Sequence, residues 1–247
     1  MPARRLAPVR AVIFDWGGTI TPWHPVDLSA QWLAFAQAHP GHAHEAALLS
    51  QRIRDAESAA WSRLRDDGAS ARLHEILEQA GVLVAHEGHA AALAAYHDFW
   101  APHTFTDPDI APLWEALRQR GIKVGVLSNT IWTREYHREV FERDGVLHLI
   151  DGDVYSSEIT HTKPHPEAFA AALAAVGVQD PGAAVYVGDR PYEDVYGAQR
   201  AGMRAVLVPH SELPADQQVP GHGHDDVRPD AAVDRLADLL PVVDGWC

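Results

Sequence analysis

The sequence predicts an α/β protein: a parallel sheet covered by helices on both faces, with a long helical insert after the first strand. Three observations carry this. Short, continuous, β-branched apolar runs stand at Val9 to Phe14 (VRAVIF), Ile122 to Leu127 (IKVGVL) and Ala183 to Val187 (AAVYV), the pattern of strands buried on both faces. Each run stops at polar residues, namely Asp15, Ser128-Asn129 and Gly188-Asp189. Between the first two runs, Leu28 to Tyr96 contains no strand-like segment, and apolar residues recur there at helical spacing, as in Trp32, Phe35 and Ala36 or Leu73, Ile76 and Leu77.

The elements follow in order. Val9 to Phe14 is expected as the first strand, and Gly41, Gly68 and Gly81 divide the insert into about four helices. From Asp107 helix and strand alternate. Asp109 to Arg120 reads as a helix stopped by Gly121, Ile122 to Leu127 as a strand, and Thr133 to Arg143 as a polar-faced helix. Val146 to Ser156 carries an extended segment, and Pro166 to Val176 a helix with proline in its first turn. Ala183 to Val187 is a strand, Glu193 to Ala201 a helix, Arg204 to Val208 a strand, and Ala232 to Leu240 a closing helix. Alternation of this kind implies a parallel sheet, whose ligands sit beyond the carboxyl ends of the strands. Asp15, Ser128 and Asp189 all fall there. Pro209 to Pro229 breaks the rhythm, and its tract from His222 to Asp226 reads as either a solvated loop or a metal-binding stretch.

Composition narrows the partners. The chain has 247 residues, 20 basic and 34 acidic side chains and a formal net charge of -14. Such a field repels polyanions, so neither nucleic acid nor an acidic membrane is expected as a partner. A small phosphorylated substrate is compatible, because a pocket with a metal overrides the net field locally. Cys247 is the single cysteine, so no intrachain disulfide forms. The apolar run from Ala11 to Phe14 is too short for a signal core or a membrane span, and a cytoplasmic location is expected. The oligomeric state is not legible.

Four segments carry chemistry. The first strand ends in Asp15-Trp16-Gly17-Gly18-Thr19, the second in Ser128-Asn129. Lys163-Pro164-His165-Pro166-Glu167-Ala168-Phe169 follows, then Gly188-Asp189 with Asp194-Val195-Tyr196-Gly197-Ala198 and Ala201-Gly202-Met203. In this order the segments resemble the four motifs of the haloacid dehalogenase-like (HAD) hydrolase superfamily, over about Val9 to Leu240 less the insert. The resemblance implies a Rossmann-like parallel sheet core, HAD-like, with an inserted α-helical cap domain. The core is expected at 1–24 and 105–247, the cap at 25–104.

It also implies roles. Asp15 would be the nucleophile, forming an aspartyl phosphate. Mg²⁺ would be held by Asp15, the Gly17 carbonyl and Asp189, with Asp194 contributing from behind them, while Ser128, the Asn129 backbone N–H and Lys163 donate to phosphoryl oxygens. The residue types suit the task. A phosphoryl group spreads negative charge, so catalysis is mostly positioning and electrostatic stabilisation, and a carboxylate that attacks it needs a metal and donors to blunt repulsion. Lys163 is one of only two lysines, with Lys123.

One position departs from the pattern. The family's second aspartate, its general acid and base, is Gly17 here. General acid–base catalysis is worth ~10²–10⁴ in rate, so alkyl phosphates are expected to be poor substrates unless His24, His97 or His103 supplies the proton. A phosphonatase would need a lysine in the cap, and Leu28 to Tyr96 has none. A haloacid dehalogenase would lack the acidic fourth motif. A phosphatase or phosphotransferase is therefore expected, the alternative being a non-catalytic phosphate-binding or regulatory protein. Trp61, Tyr96 and Trp100 are expected either to line a lid or to pack.

Overall fold

The computed structural model describes residues 7–209 and 227–247; the histidine- and aspartate-rich tract 222–226 lies outside them. Six strands form one parallel sheet in the order β3-β2-β1-β4-β5-β6: β1 Ala11–Phe14, β2 Lys123–Ser128, β3 Gly152–Tyr155, β4 Ala184–Gly188, β5 Arg204–Leu207 and β6 Ala231–Ala232. Strand order reverses between β1 and β4, the switch point where such sheets bind ligands.

The continuous apolar runs are explained by a core on each face. On one side lie Val12, Phe14, Val124, Val126, Val185 and Val187. Ile13, Leu127, Tyr186 and Ala205 lie on the other, as the two-residue period of a strand requires.

Four helices leave the chain between β1 and β2: α1 Leu28–Ala38, α2 Ala46–Asp67, α3 Leu73–Gln79 and α4 His89–Trp100. Asp27 caps α1 by accepting from the Ser29 N–H. Trp32, Phe35, Leu49, Ile53, Ile76, Leu77 and Tyr96 fill the space between these helices. An aromatic seam joins this bundle to the sheet layer. The Trp132 indole donates to the Tyr96 hydroxyl at 2.9 Å, and its ring meets Trp100 at 5.3 Å and Trp16 at 5.4 Å. Among the described residues no helix is long and apolar enough to cross a membrane.

The remaining helices are α5 Ile110–Gln119, α6 Arg134–Arg143, α7 Pro166–Ala175, α8 Gly197–Arg200 and α9 Leu239–Asp244. Gly121, at φ 73°, ends the turn after α5, as expected. Three expected boundaries are corrected. The extended segment after α6 opens with a 3₁₀ turn, Leu147–Leu149, before β3. The helix expected from Glu193 begins earlier, as a π-helical turn over Pro191–Tyr196, because the Arg190 carbonyl accepts from both Asp194 and Val195. The closing helix expected over Ala232 to Leu240 is instead β6, a 3₁₀ turn and α9. Here the backbone N–H of Asp230 and Val233 pairs with the Ala205 and Leu207 carbonyls, and the sheet edge overrides helical propensity.

Candidate active site

Sheet register brings the first two carboxylates together. Phe14 pairs with Val187 and the Asp15 N–H donates to the Val187 carbonyl at 2.8 Å, so Asp15 and Asp189 leave neighbouring strand ends. Asp194 arrives from the π-helical turn, a feature that favours functional sites; its carboxylate accepts from the Arg190 N–H at 2.9 Å. Oxygens of the three carboxylates lie within 4.8 Å of one another. The residues are only 5%, 2% and 0% exposed.

Like charges this close and this buried need a cation. Lys163 supplies one. Its Nζ lies 2.8 Å from Asp15 Oδ1 and 2.7 Å from Asp194 Oδ1. It also donates to the Tyr186 hydroxyl at 2.8 Å, which in turn donates to the Leu127 carbonyl at 2.8 Å. Burial lifts Asp15 to about 8, against the pull of Lys163 and with Asp194 and Asp189 adding to the rise. Burial likewise raises Asp194. For Lys163 burial works downward, but Asp15 and Asp194 outweigh it and hold the ammonium above its ordinary value. The three carboxyl groups converge as hard oxygen donors, a set that suits Mg²⁺.

Ser128 ends β2 beside β1 and is buried. Asn129 spends its side chain on positioning: its amide donates to the Lys163 carbonyl at 2.9 Å and accepts from the Lys163 N–H at 2.8 Å. This clamp sets the loop that carries the lysine. His165 caps α7, with Pro166 in its first turn.

The turn after Asp15 is tight. The Gly18 N–H donates to the Thr21 carbonyl at 2.8 Å, and the Thr21 N–H to the Trp16 carbonyl at 2.9 Å. Gly18 stands at φ 87°, and a Cβ there would lie 1.9 Å from Trp23 Nε1 and 2.2 Å from Asp189 Oδ2, so only glycine fits. Gly17 has no such constraint. A Cβ at Gly17 meets only the Trp23 ring, at 3.8 Å.

Three residues of the site carry no reading in the sequence. Trp23 donates its indole N–H to Asp189 Oδ2 at 2.9 Å. Arg190 pairs with Glu193 at 2.8 Å and lies 6.0 Å from the Trp23 ring. Tyr186 receives Lys163. Arg190 and Tyr186 were within reach, since both stand in the strand-end segment beside Asp189; Trp23 lies in a loop with no periodic signal.

The histidines considered as proton donors have other partners. His24 and His103 hydrogen-bond to each other at 2.7 Å across the two connections of the insert. His97 stacks on Tyr136 at 3.8 Å, and burial lowers it to about 4, so it is neutral at pH 7 with no labile proton to give. Tyr96 is buried, stacked on Trp32 at 4.5 Å. Trp100 donates to Gln31 at 3.0 Å, and Trp61 packs half-buried against the main core. All three pack.

A buried carboxylate cluster with one lysine, at the switch point of a Rossmann-like sheet, defines a class of hydrolases. Residues 9–202 match the haloacid dehalogenase-like hydrolase family, and the chain belongs to it. It is similar to a glyceraldehyde 3-phosphate phosphatase of Methanopyrus kandleri, 37% identical over 154 residues, covering 62% of this chain and 63% of that protein. A phosphoserine phosphatase of Thermus thermophilus is 35% identical over 111 residues, 45% of this chain and 43% of that one. The matches thus span between two fifths and two thirds of these relatives. Among solved structures, a HAD phosphatase from Thermococcus onnurineus superposes with a TM-score of 0.64 at 23% identity, covering 96% of this chain and 99% of that one. A 2-haloacid dehalogenase from Pseudomonas syringae gives 0.63 at 24%, covering 97% and 100%. These two establish the fold.

Proposed function

We propose that this hydrolase is a Mg²⁺-dependent phosphatase or phosphotransferase that acts on a small phosphorylated metabolite through an aspartyl phosphate on Asp15. The observation that carries the reading is the contact of Lys163 with both Asp15 and Asp194, 2.8 and 2.7 Å away, beside Asp189. Held between Asp15, the Gly17 carbonyl and Asp189, Mg²⁺ would supply Lewis-acid neutralisation of the phosphoryl charge. The names of the relatives, phosphatases of glyceraldehyde 3-phosphate and phosphoserine, support a small phosphate ester. The acidic Asp189 and Asp194 weigh against a dehalogenase.

The residues divide the work. An Asp15 oxygen attacks phosphorus, and the bond from phosphorus to the substrate oxygen breaks. Lys163, Ser128 and the Asn129 N–H hold the phosphoryl oxygens. Asn129 also fixes the Lys163 backbone, and Asp194 keeps the ammonium aimed at Asp15. Water then attacks phosphorus of the aspartyl phosphate, releasing phosphate and restoring the carboxylate. No residue at Gly17 protonates the leaving oxygen, so substrates with stable leaving groups are turned over best. Specificity would come from the insert, taken as a cap over 25–104, and a cytoplasmic setting agrees with the lone cysteine.

One observation favours the alternative of a non-catalytic phosphate-binding protein: the Trp23 indole engages Asp189 where the metal is placed. A panel of phosphate esters and anhydrides, assayed with and without Mg²⁺ and with Asp15→Asn as blank, decides. Phosphate release that needs both Mg²⁺ and Asp15 is expected; release by the blank at the wild-type rate overturns the proposal.

A further inference from the structure

The Lys163 ammonium is buried, and it has three N–H donors and no acceptor. Two of the three go to well-held partners, Asp194 Oδ1 at 2.7 Å and the Tyr186 hydroxyl at 2.8 Å. Asp194 is fixed from behind. Its other oxygen accepts from the Arg190 N–H at 2.9 Å, and a Cβ on Gly188 would lie only 2.3 Å from its carboxyl carbon. The third N–H is left for the Asp15 side, where Oδ1 stands 2.8 Å from Nζ.

Tyr186 is held as firmly. It lies in β4, opposite Ile13 of β1 and Ala205 of β5, fully buried, with its ring edge-on to Phe169 at 5.1 Å. The phenol reaches past β1 to β2 and donates its single proton to the Leu127 carbonyl at 2.8 Å. With that proton committed, the hydroxyl oxygen can only accept, and it accepts from Lys163. Phenylalanine would fill the same space, so the hydroxyl is there for its two bonds. A buried ammonium held at one N–H still turns about that bond. Held at two, it does not turn, and its third N–H has a single direction.

We propose that Tyr186 is a positioning residue: with Asp194 it locks the Lys163 ammonium so that the remaining N–H points at Asp15 and at the phosphoryl oxygen that arrives there. This rests on the reading of Asp15 as phosphoryl acceptor. As an Asp15 oxygen bonds to phosphorus and the ester bond breaks, the electron pair leaves with the substrate oxygen and negative charge stays on the non-bridging oxygens. The aimed N–H meets that charge without first having to turn, which is what makes a preorganised donor effective. Tyr186 acts through Lys163 alone, and its own proton stays on the bond to Leu127.

The chain has two lysines, Lys123 and Lys163, so labelling lysine with ¹⁵N at Nζ gives a magnetic resonance spectrum with one ammonium signal for each. Lys123 is exposed and pairs with Asp151 at 3.0 Å, and Lys123→Arg assigns the remaining signal to Lys163 without touching the site. In the wild type that signal is expected to exchange its protons slowly. Tyr186→Phe, which keeps the ring against Phe169, should shift it and speed its exchange, leaving Lys123 unmoved. On a phosphate ester that the wild type turns over, the variant should lose ~10–100-fold in kcat, the loss typical of removing a group that orients a functional one, with KM changed little. A packing defect alone would lower the melting temperature and leave the Lys163 signal in place. Should Tyr186→Phe fold poorly, 3,5-difluorotyrosine at position 186, with a weaker acceptor oxygen on the same ring, must move the same signal to a smaller extent. An unmoved Lys163 signal, or a moved one with wild-type kcat, overturns the proposal. If no ester is turned over, the phosphatase reading fails by itself, and the ammonium signal alone decides whether Tyr186 holds Lys163.

Discussion

The indole N–H of Trp23 is bonded to Asp189 Oδ2 at 2.9 Å, and the same ring lies over the place where a side chain at Gly17 would extend, 3.8 Å from a Cβ there. The residue missing from the family pattern and the residue absent from any sequence reading thus meet at one point. Trp23 takes the room that the lost carboxyl leaves.

Trp23 should compete with the metal. A hydrogen bond to a charged group is worth about 1.5–3 kcal/mol, so Trp23→Phe, which keeps the ring and removes the donor, is expected to tighten Mg²⁺ binding roughly tenfold. Calorimetric titration of both proteins measures it. Equal or weaker binding by the variant would mean that the indole supports the site instead of shielding it.

Gly17→Asp should restore proton transfer selectively. Gly17 does not stand at positive φ, so the substitution carries no left-handed backbone strain, and the new carboxyl has to displace only the Trp23 ring. Hydrolysis of an alkyl phosphate should rise toward ~10²-fold, while an aryl phosphate, whose phenolate leaves unprotonated, gains little in the phosphorylation step. A well-folded variant with no gain on alkyl phosphates would show that another group already delivers the proton.

Lys163 holds the carboxylate cluster together, and the fold should feel its loss. Lys163→Met leaves Asp15, Asp189 and Asp194 buried without their ammonium, and breaking a buried ion pair from one side costs about 3–5 kcal/mol. Urea unfolding of metal-free protein is expected to show that drop, partly recovered by Mg²⁺. Wild-type stability in the variant would argue that the three carboxylates share protons and need no cation.

Acid should destabilise the protein through His137. Its ring is fully buried, stacked on Tyr155 at 4.3 Å and edge-on to Trp16 at 4.6 Å, and burial lowers it to about 3. The unfolded chain binds a proton near 6.5 and the folded one does not until about 3, so this contribution is intact above pH 6.5 and is lost as pH falls toward 3. The slope from one such group approaches about 1.4 kcal/mol per pH unit. Denaturant midpoints between pH 7 and 4 should fall in the wild type and fall less in His137→Gln; parallel slopes would remove His137 as the cause.

Much of this was legible in the sequence because sheet strands buried on both faces write themselves as continuous apolar runs, and because Asp15, Ser128 and Asp189 stop those runs. Lys163 was legible from its motif, and the clamp from Asn129 explains why the two segments stay together. What escaped depends on tertiary contact. Ala231 and Ala232 favour a helix locally and become an edge strand only because β5 offers its carbonyls. The Trp23 contact spans 166 positions, and nothing in its own loop announces it. His97, a polar residue that spacing left available, is turned onto Tyr136 and lost to chemistry.

The central claim is that Asp15 accepts the phosphoryl group. Berylliofluoride mimics an aspartyl phosphate, so the increment in melting temperature that it adds over Mg²⁺ alone is the direct measurement, made on wild type and on Asp15→Asn. A clear increment in the wild type, dependent on Mg²⁺ and absent from Asp15→Asn, is the predicted result. An equal increment in both proteins, or none in the wild type, would contradict it.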